Sequence, residues 1–140
     1  MSMLPYEARD EFAFDYQMHD GSPLRVSHHF AGQTGMPVAI QTWVIEPGGF
    51  EGMHRHEAEG ALQEFYQVIE GQARMRVGDH TYDLGPGDSV LADAGVDHDL
   101  RNIGDSELRV LTVWGPPGTA DFSNFGSRQR AVQIRHEADR

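Results

Sequence analysis

Chain-breaking clusters recur at short intervals along this sequence: Gly21-Ser22-Pro23, Gly32 to Pro37, Glu46-Pro47-Gly48-Gly49, Gly71, Gly78-Asp79, Gly85-Pro86-Gly87-Asp88, Gly95, Asn102-Ile103-Gly104-Asp105 and Gly115-Pro116-Pro117-Gly118. No long helix fits between breaks so close, whereas short strands do. The intervening runs have strand character. Phe12, Phe14 and Tyr16 alternate with polar or small residues, predicting a half-buried strand. Leu24 to Phe30, Val38 to Ile45, Glu64 to Glu70, Ser89 to Ala92 and Leu108 to Trp114 are rich in β-branched and aromatic residues. Ala73, Met75 and Val77 alternate with Arg74 and Arg76, Gly78-Asp79 marks a hairpin, and Thr81 to Leu84 pairs back. Gly95 opens a strand carrying His98, Leu100 and Asn102. Roughly ten short strands, with no amphipathic helix before residue 120, predict an all-β sandwich or barrel.

The chain has 140 residues, enough for one domain with its own core. Residues 1–11 read as a loose leader, 12–118 as the barrel, and 119–140 as a tail. In that tail Phe122 and Phe125 are expected to cap one end of the barrel, and Ala131 to Arg135 to form an edge strand exchanged with a partner subunit. There is no cysteine, which excludes disulfides, thiolate metal sites and a cysteine nucleophile. Every basic residue is Arg, so Schiff-base chemistry is excluded too. A formal charge of -11 argues against nucleic acid or an anionic membrane as partner. Met1 to Asp15 has no apolar signal core and no run is long enough to span a bilayer, so a cytoplasmic protein is expected.

Within Gly48 to His56, the pair His54 and His56 has the period of a strand, so both imidazoles point to one side of a sheet. Alone, such a pair is most simply a surface feature. Other residues converge on it, however. Gly48, His54, His56, Glu64 and Gly71, followed by Gly87, Gly95, His98 and Asn102, resemble the two motifs of the cupin superfamily over residues 48–102. The spacer between His56 and Glu64 is longer than the family's, which leaves Gln63 as the neighbouring candidate for the position of Glu64. Asp93 stands where the second motif has Pro.

The resemblance implies a double-stranded β-helix, a jelly-roll barrel of roughly ten strands around one metal ion. His54, His56, Glu64 and His98 would hold it. Three imidazoles and one carboxylate suit a divalent transition metal (Fe, Mn, Ni, Co, Cu or Zn) and leave one or two positions for water or substrate. Glu64 would also act as general base. Tyr66, two residues on, is expected in the same cavity, either as a core aromatic or as a hydroxyl that positions substrate. The sense of Gln41 and Trp43 stays open. His28 and His29 are expected at the surface, or one of them near the metal; Met53 and Met75 are expected as core filler, and Glu57 and Glu59 as a solvated loop.

The implied function is that of an enzyme acting on a small aromatic or enolisable oxygen-bearing substrate, similar to the quercetinase-like dioxygenases. Two rivals share the site: a non-redox cyclase, isomerase or lyase using the metal as Lewis acid, and a non-catalytic ligand-binding cupin. A homodimer is expected, because packing or swapping edge strands covers their unpaired backbone groups.

Overall fold

The computed structural model of the protein describes residues 4–54, 61–118 and 121–139, with His54 described by its backbone alone. Ten strands precede one helix. They are β1 (Phe14–Gln17), β2 (Pro23–His28), β3 (Ala39–Ile45), β4 (Phe50–His54), β5 (Gln63–Glu70), β6 (Ala73–Val77), β7 (His80–Leu84), β8 (Ser89–Ala92), β9 (His98–Asn102) and β10 (Leu108–Gly115); the helix, α1, is Gly126–Ala138. A six-stranded sheet runs β1-β2-β3-β10-β5-β8, and a four-stranded sheet runs β4-β9-β6-β7. The strand pairs within both are antiparallel. The strand spacing predicted an all-β sandwich or barrel, and this is the jelly-roll form of it that the resemblance implied.

The core lies between the sheets. Leu24, Val26, Trp43, Ile45, Tyr66, Val68, Leu108 and Val110 from the larger sheet meet Ala73, Met75, Leu84 and Leu100 from the smaller one. Alternation along β5 buries Glu64, Tyr66 and Val68 and turns Phe65 and Gln67 toward the outside, because successive side chains of a strand point to opposite faces. Gly71 turns β5 into β6 at φ +93°, a left-handed conformation in which a side chain would also meet the Glu107 carbonyl. Asn102 is buried and ties the β9–β10 turn to β3: its amide donates to the carbonyls of Ile45 and Ser106, and its oxygen accepts from Gly104 N–H.

Three expectations change. The leader is strapped to the barrel over residues 7–10. Glu7 accepts from Phe30 N–H and meets His29, Arg9 pairs with Glu70, and Asp10 takes both guanidinium nitrogens of Arg109 at 3.1 and 2.6 Å. Arg109 is buried, and a buried guanidinium requires a carboxylate partner. Ala131 to Arg135, read as an edge strand, lies inside α1, which buries none of its residues. The Val132-to-Ile134 stretch that suggested β structure is embedded among Arg, Gln, Ala and Glu, which favour helix. Phe122 and Phe125 are exposed and pack on each other. Finally, β1 is exposed along its whole length and Phe12 lies outside it. Among the described residues no helix is long and apolar enough to cross a membrane.

Candidate active site

Glu64 sits on β5 and His98 on β9, in opposite sheets, and their side chains meet inside the barrel. His98 Nε2 lies 3.5 Å from Glu64 Oε1, and both side chains are almost fully buried. His98 Nδ1 lies 2.8 Å from the Val96 carbonyl. A carbonyl only accepts, so Nδ1 carries a proton and Nε2 is the nitrogen that faces the Glu64 carboxyl. A backbone partner on Nδ1 leaves Nε2 as the nitrogen that could bind a metal ion, the arrangement usual for ligating histidines. Burial works to lower the His98 pKa, but hydrogen bonding to Glu64 and to Val96 raises it on balance.

Tyr66 joins them. Its hydroxyl donates to Glu64 Oε2 in a short hydrogen bond, and its ring stands edge-on to those of His98 and Trp43. The charge of the Glu51 carboxyl, 1% exposed on β4, acts on the same hydroxyl. Burial, and then the charge of Glu64, push the Glu51 carboxyl well above the ordinary carboxylate range. Burial and the two carboxyl groups likewise raise Tyr66. Both Glu51 and Tyr66 therefore favour their protonated forms.

These carboxylates line a cavity of about 590 Å³, whose wall includes Phe14, Tyr16, His28, Gln41, Trp43 and Trp114. Phe14 and Tyr16 are exposed and stand at the mouth, while Glu51 and Glu64 are buried at the base. The space is large enough for a substituted aromatic ring, and Phe14, Tyr16, Trp43 and Trp114 are in its wall.

The positions read from sequence distribute as follows. Glu64, Tyr66 and His98 come together. Gln63, the alternative to Glu64, turns away and donates to Asp93. The backbone of His54 is the register partner of His98; the His54 side chain, His56, Glu57 and Glu59 lie outside the described residues. Among the described residues no three His or carboxylate side chains form a metal-holding group. His28 lines the cavity and His29 is half-buried against Thr42 and Glu7, so neither is simply a surface histidine. Met75 is core, but Met53 is 39% exposed.

Glu51 was not anticipated. Strict alternation puts it on the face opposite to His54, away from the presumed ligands. The register shifts between Glu51 and His54 in the pairing with β9, and such a bulge re-aims side chains. The only sequence signal is a carboxylate isolated between Phe50 and Gly52 in a strand. Gln41 and Trp43, left open by parity, also prove to belong to the cavity, as does His28.

Compared with known proteins, residues 41–114 match the family model of the cupin domain. An uncharacterized protein of Streptomyces coelicolor is 31% identical over 108 residues, which is 77% of this chain and 92% of that protein. An oxalate-binding protein of Thermotoga maritima is 29% identical over 69 residues, 49% of this chain and 54% of that protein. Among solved structures, a predicted oxalate decarboxylase from Thermotoga maritima superposes with a TM-score of 0.68 at 19% identity, covering 79% of this chain and 99% of that one.

Proposed function

This chain belongs to the cupin domain family, and from that premise we propose that it is a metal-dependent enzyme acting on a small aromatic or enolisable substrate that carries a hydroxyl, with dioxygenation as its reaction. One observation carries the reading: the buried carboxyls of Glu51 and Glu64 line a cavity whose wall includes Phe14, Tyr16, Trp43 and Trp114, and Tyr66 and His98 meet Glu64 from behind it. The donors fit a divalent transition ion, since His98 Nε2 and Glu64 Oε1, a nitrogen and an oxygen of ligating type, face each other 3.5 Å apart. His98 and Glu64 would hold the ion together with His54 and His56. Bound there, it supplies Lewis acidity and, if redox-active, electrons for dioxygen chemistry.

The chain's own groups handle the proton. A substrate hydroxyl that enters the cavity gives its proton to Glu64, whose Oε2 already accepts from Tyr66. Tyr66 steadies that carboxylate, and Glu51 nearby favours its protonated form because it is buried and next to another acid. The return of the proton from Glu64 to the product completes the cycle. Trp43, Trp114, Phe14 and Tyr16 offer ring faces and help exclude water from the base. The oxalate named for two relatives is a poorer fit, because so small a dianion makes no use of the ring faces of Phe14, Tyr16, Trp43 and Trp114.

The test joins metal analysis of the purified chain to oxygen uptake with a flavonol and with catechol. Redox-active iron, copper, nickel or manganese with uptake on either compound is the expected result. Tightly held zinc without oxygen consumption would move the same site to Lewis-acid chemistry. Absence of any bound metal after reconstitution would end the metal-dependent reading.

A further inference from the structure

The wall of the cavity contains a second polar arrangement, apart from the acidic base. The side-chain oxygen of Gln41 accepts three hydrogen bonds: from Trp43 Nε1 at 3.2 Å, Thr112 Oγ1 at 3.2 Å and Trp114 Nε1 at 2.9 Å. An indole N–H only donates, so two of these partners fix which end of the amide is oxygen. The amide nitrogen is thereby forced toward His28, whose Nε2 lies 2.6 Å away. An amide N–H only donates, so His28 Nε2 accepts and the ring proton is on Nδ1. Among the described residues, Gln41 is the only hydrogen-bonding partner of the His28 ring. That ring is half-buried, lies parallel to Phe14 with centroids 6.5 Å apart, and lines the cavity.

The function proposed above does not use this arrangement. A buried glutamine that spends its oxygen on three donors and its nitrogen on one histidine costs desolvation, which the protein recovers only by making every bond. What the arrangement yields is one imidazole of defined tautomer, set among aromatic rings in the wall of a space whose base is acidic.

We propose that His28 is a substrate-binding residue that donates its Nδ1–H to an acceptor oxygen on the substrate, and that Gln41 is the positioning residue that sets its tautomer. The inference rests on the aromatic-substrate reading and narrows it. The substrate is a planar ring with an acidic hydroxyl at one edge, toward Glu64, and a carbonyl or ether oxygen at the other, toward His28. Phe14 and Trp114 hold the ring between them.

Calorimetric titration of the full chain, as purified, with 4-hydroxyacetophenone and with phenol tests this. The first compound carries both oxygens and the second only the hydroxyl. The unaltered chain should bind 4-hydroxyacetophenone about fivefold to tenfold more tightly than phenol, as expected for one added hydrogen bond in a partly buried site. His28→Phe keeps a ring against Phe14 but has no N–H. It should bind phenol within about twofold of the unaltered chain and lose the preference. A preference that survives in His28→Phe overturns the role of His28 and leaves the proposed function standing. Binding of neither compound overturns the aromatic-substrate reading, and this inference with it. Nitrogen-15 NMR of the histidine rings reads the tautomer in the unaltered chain, where folding of a variant is not at issue. Protonation at Nδ1 of His28 supports the assignment, and protonation at Nε2 alone overturns it.

Discussion

At the scale of single residues, the proposed site gives metal holding to His98, proton handling to Tyr66, and both to Glu64. His98→Ala removes the nitrogen that faces Glu64 and should lower metal occupancy by more than about tenfold, measured by elemental analysis after dialysis. Glu64→Gln should retain most of the metal yet turn over poorly, because an amide takes no proton. Tyr66→Phe keeps the ring that stands against Trp43 and His98 and removes only the hydroxyl that donates to Glu64. It should lower kcat by about a hundredfold with metal content unchanged. Wild-type turnover in that variant would make Tyr66 a core aromatic and nothing more. Legibility differed among these residues for a physical reason. Glu64 and His98 stood out through the resemblance to the family's two motifs, and the regular two-residue period of β5 carried Tyr66 to the face of Glu64. Glu51 sits beside a bulge, and no period predicts where an extra residue is inserted.

At the scale of elements, the site depends on how closely β4 is pressed against the turn between β1 and β2. A side chain at Gly52 would collide with the His19 carbonyl, and one at Gly21 with the backbone of Phe50 and Gly52. Ser22 completes the clasp, donating its N–H to the Phe50 carbonyl and accepting from Phe50 N–H. Backbone cannot yield as a flexible side chain does. Gly52→Ala should therefore cost about 2 kcal/mol or more of stability, read from urea denaturation. It should also lower metal occupancy, since β4 carries Glu51 and the backbone partner of His98. A variant as stable as the parent would show that β4 shifts freely. The strands themselves were readable because turn residues bound each one. The helical tail was not, because a polar segment that buries nothing leaves no hydrophobic period to read.

At the scale of the whole molecule, the N-terminal segment fastens the larger sheet from outside. Asp10 is the centre of that attachment. Its hydrogen bond to Arg109 holds the carboxyl below the ordinary value of 3.8. A carboxylate depressed in the folded state contributes stability that is present above pH 3.8 and lost as pH falls through the lower folded value. Asp10→Asn should lower stability at neutral pH by roughly 1–3 kcal/mol, because it leaves the buried Arg109 without its charge partner. Thermal melts from neutral to strongly acidic pH should show the gap between variant and parent closing only on the acidic side of that value. A gap unchanged by pH would show that the pair is held by packing rather than by charge. Nothing in residues 1–11 announced this strap. An Asp and an Arg 99 positions apart have no local pattern, and only the closed fold brings them together.

The amino-acid sequence by itself determined the strand inventory, the single barrel, and the presence of Glu64, Tyr66 and His98 on its inner face, because turn residues and a two-residue period act locally. The tertiary structure alone decided that Glu51 joins them, that Gln41 locks the tautomer of His28, and that the leader is fastened through Arg109. Those contacts join distant segments, and a hydrogen bond between strands depends on register, bulges and close backbone approach that no local pattern records.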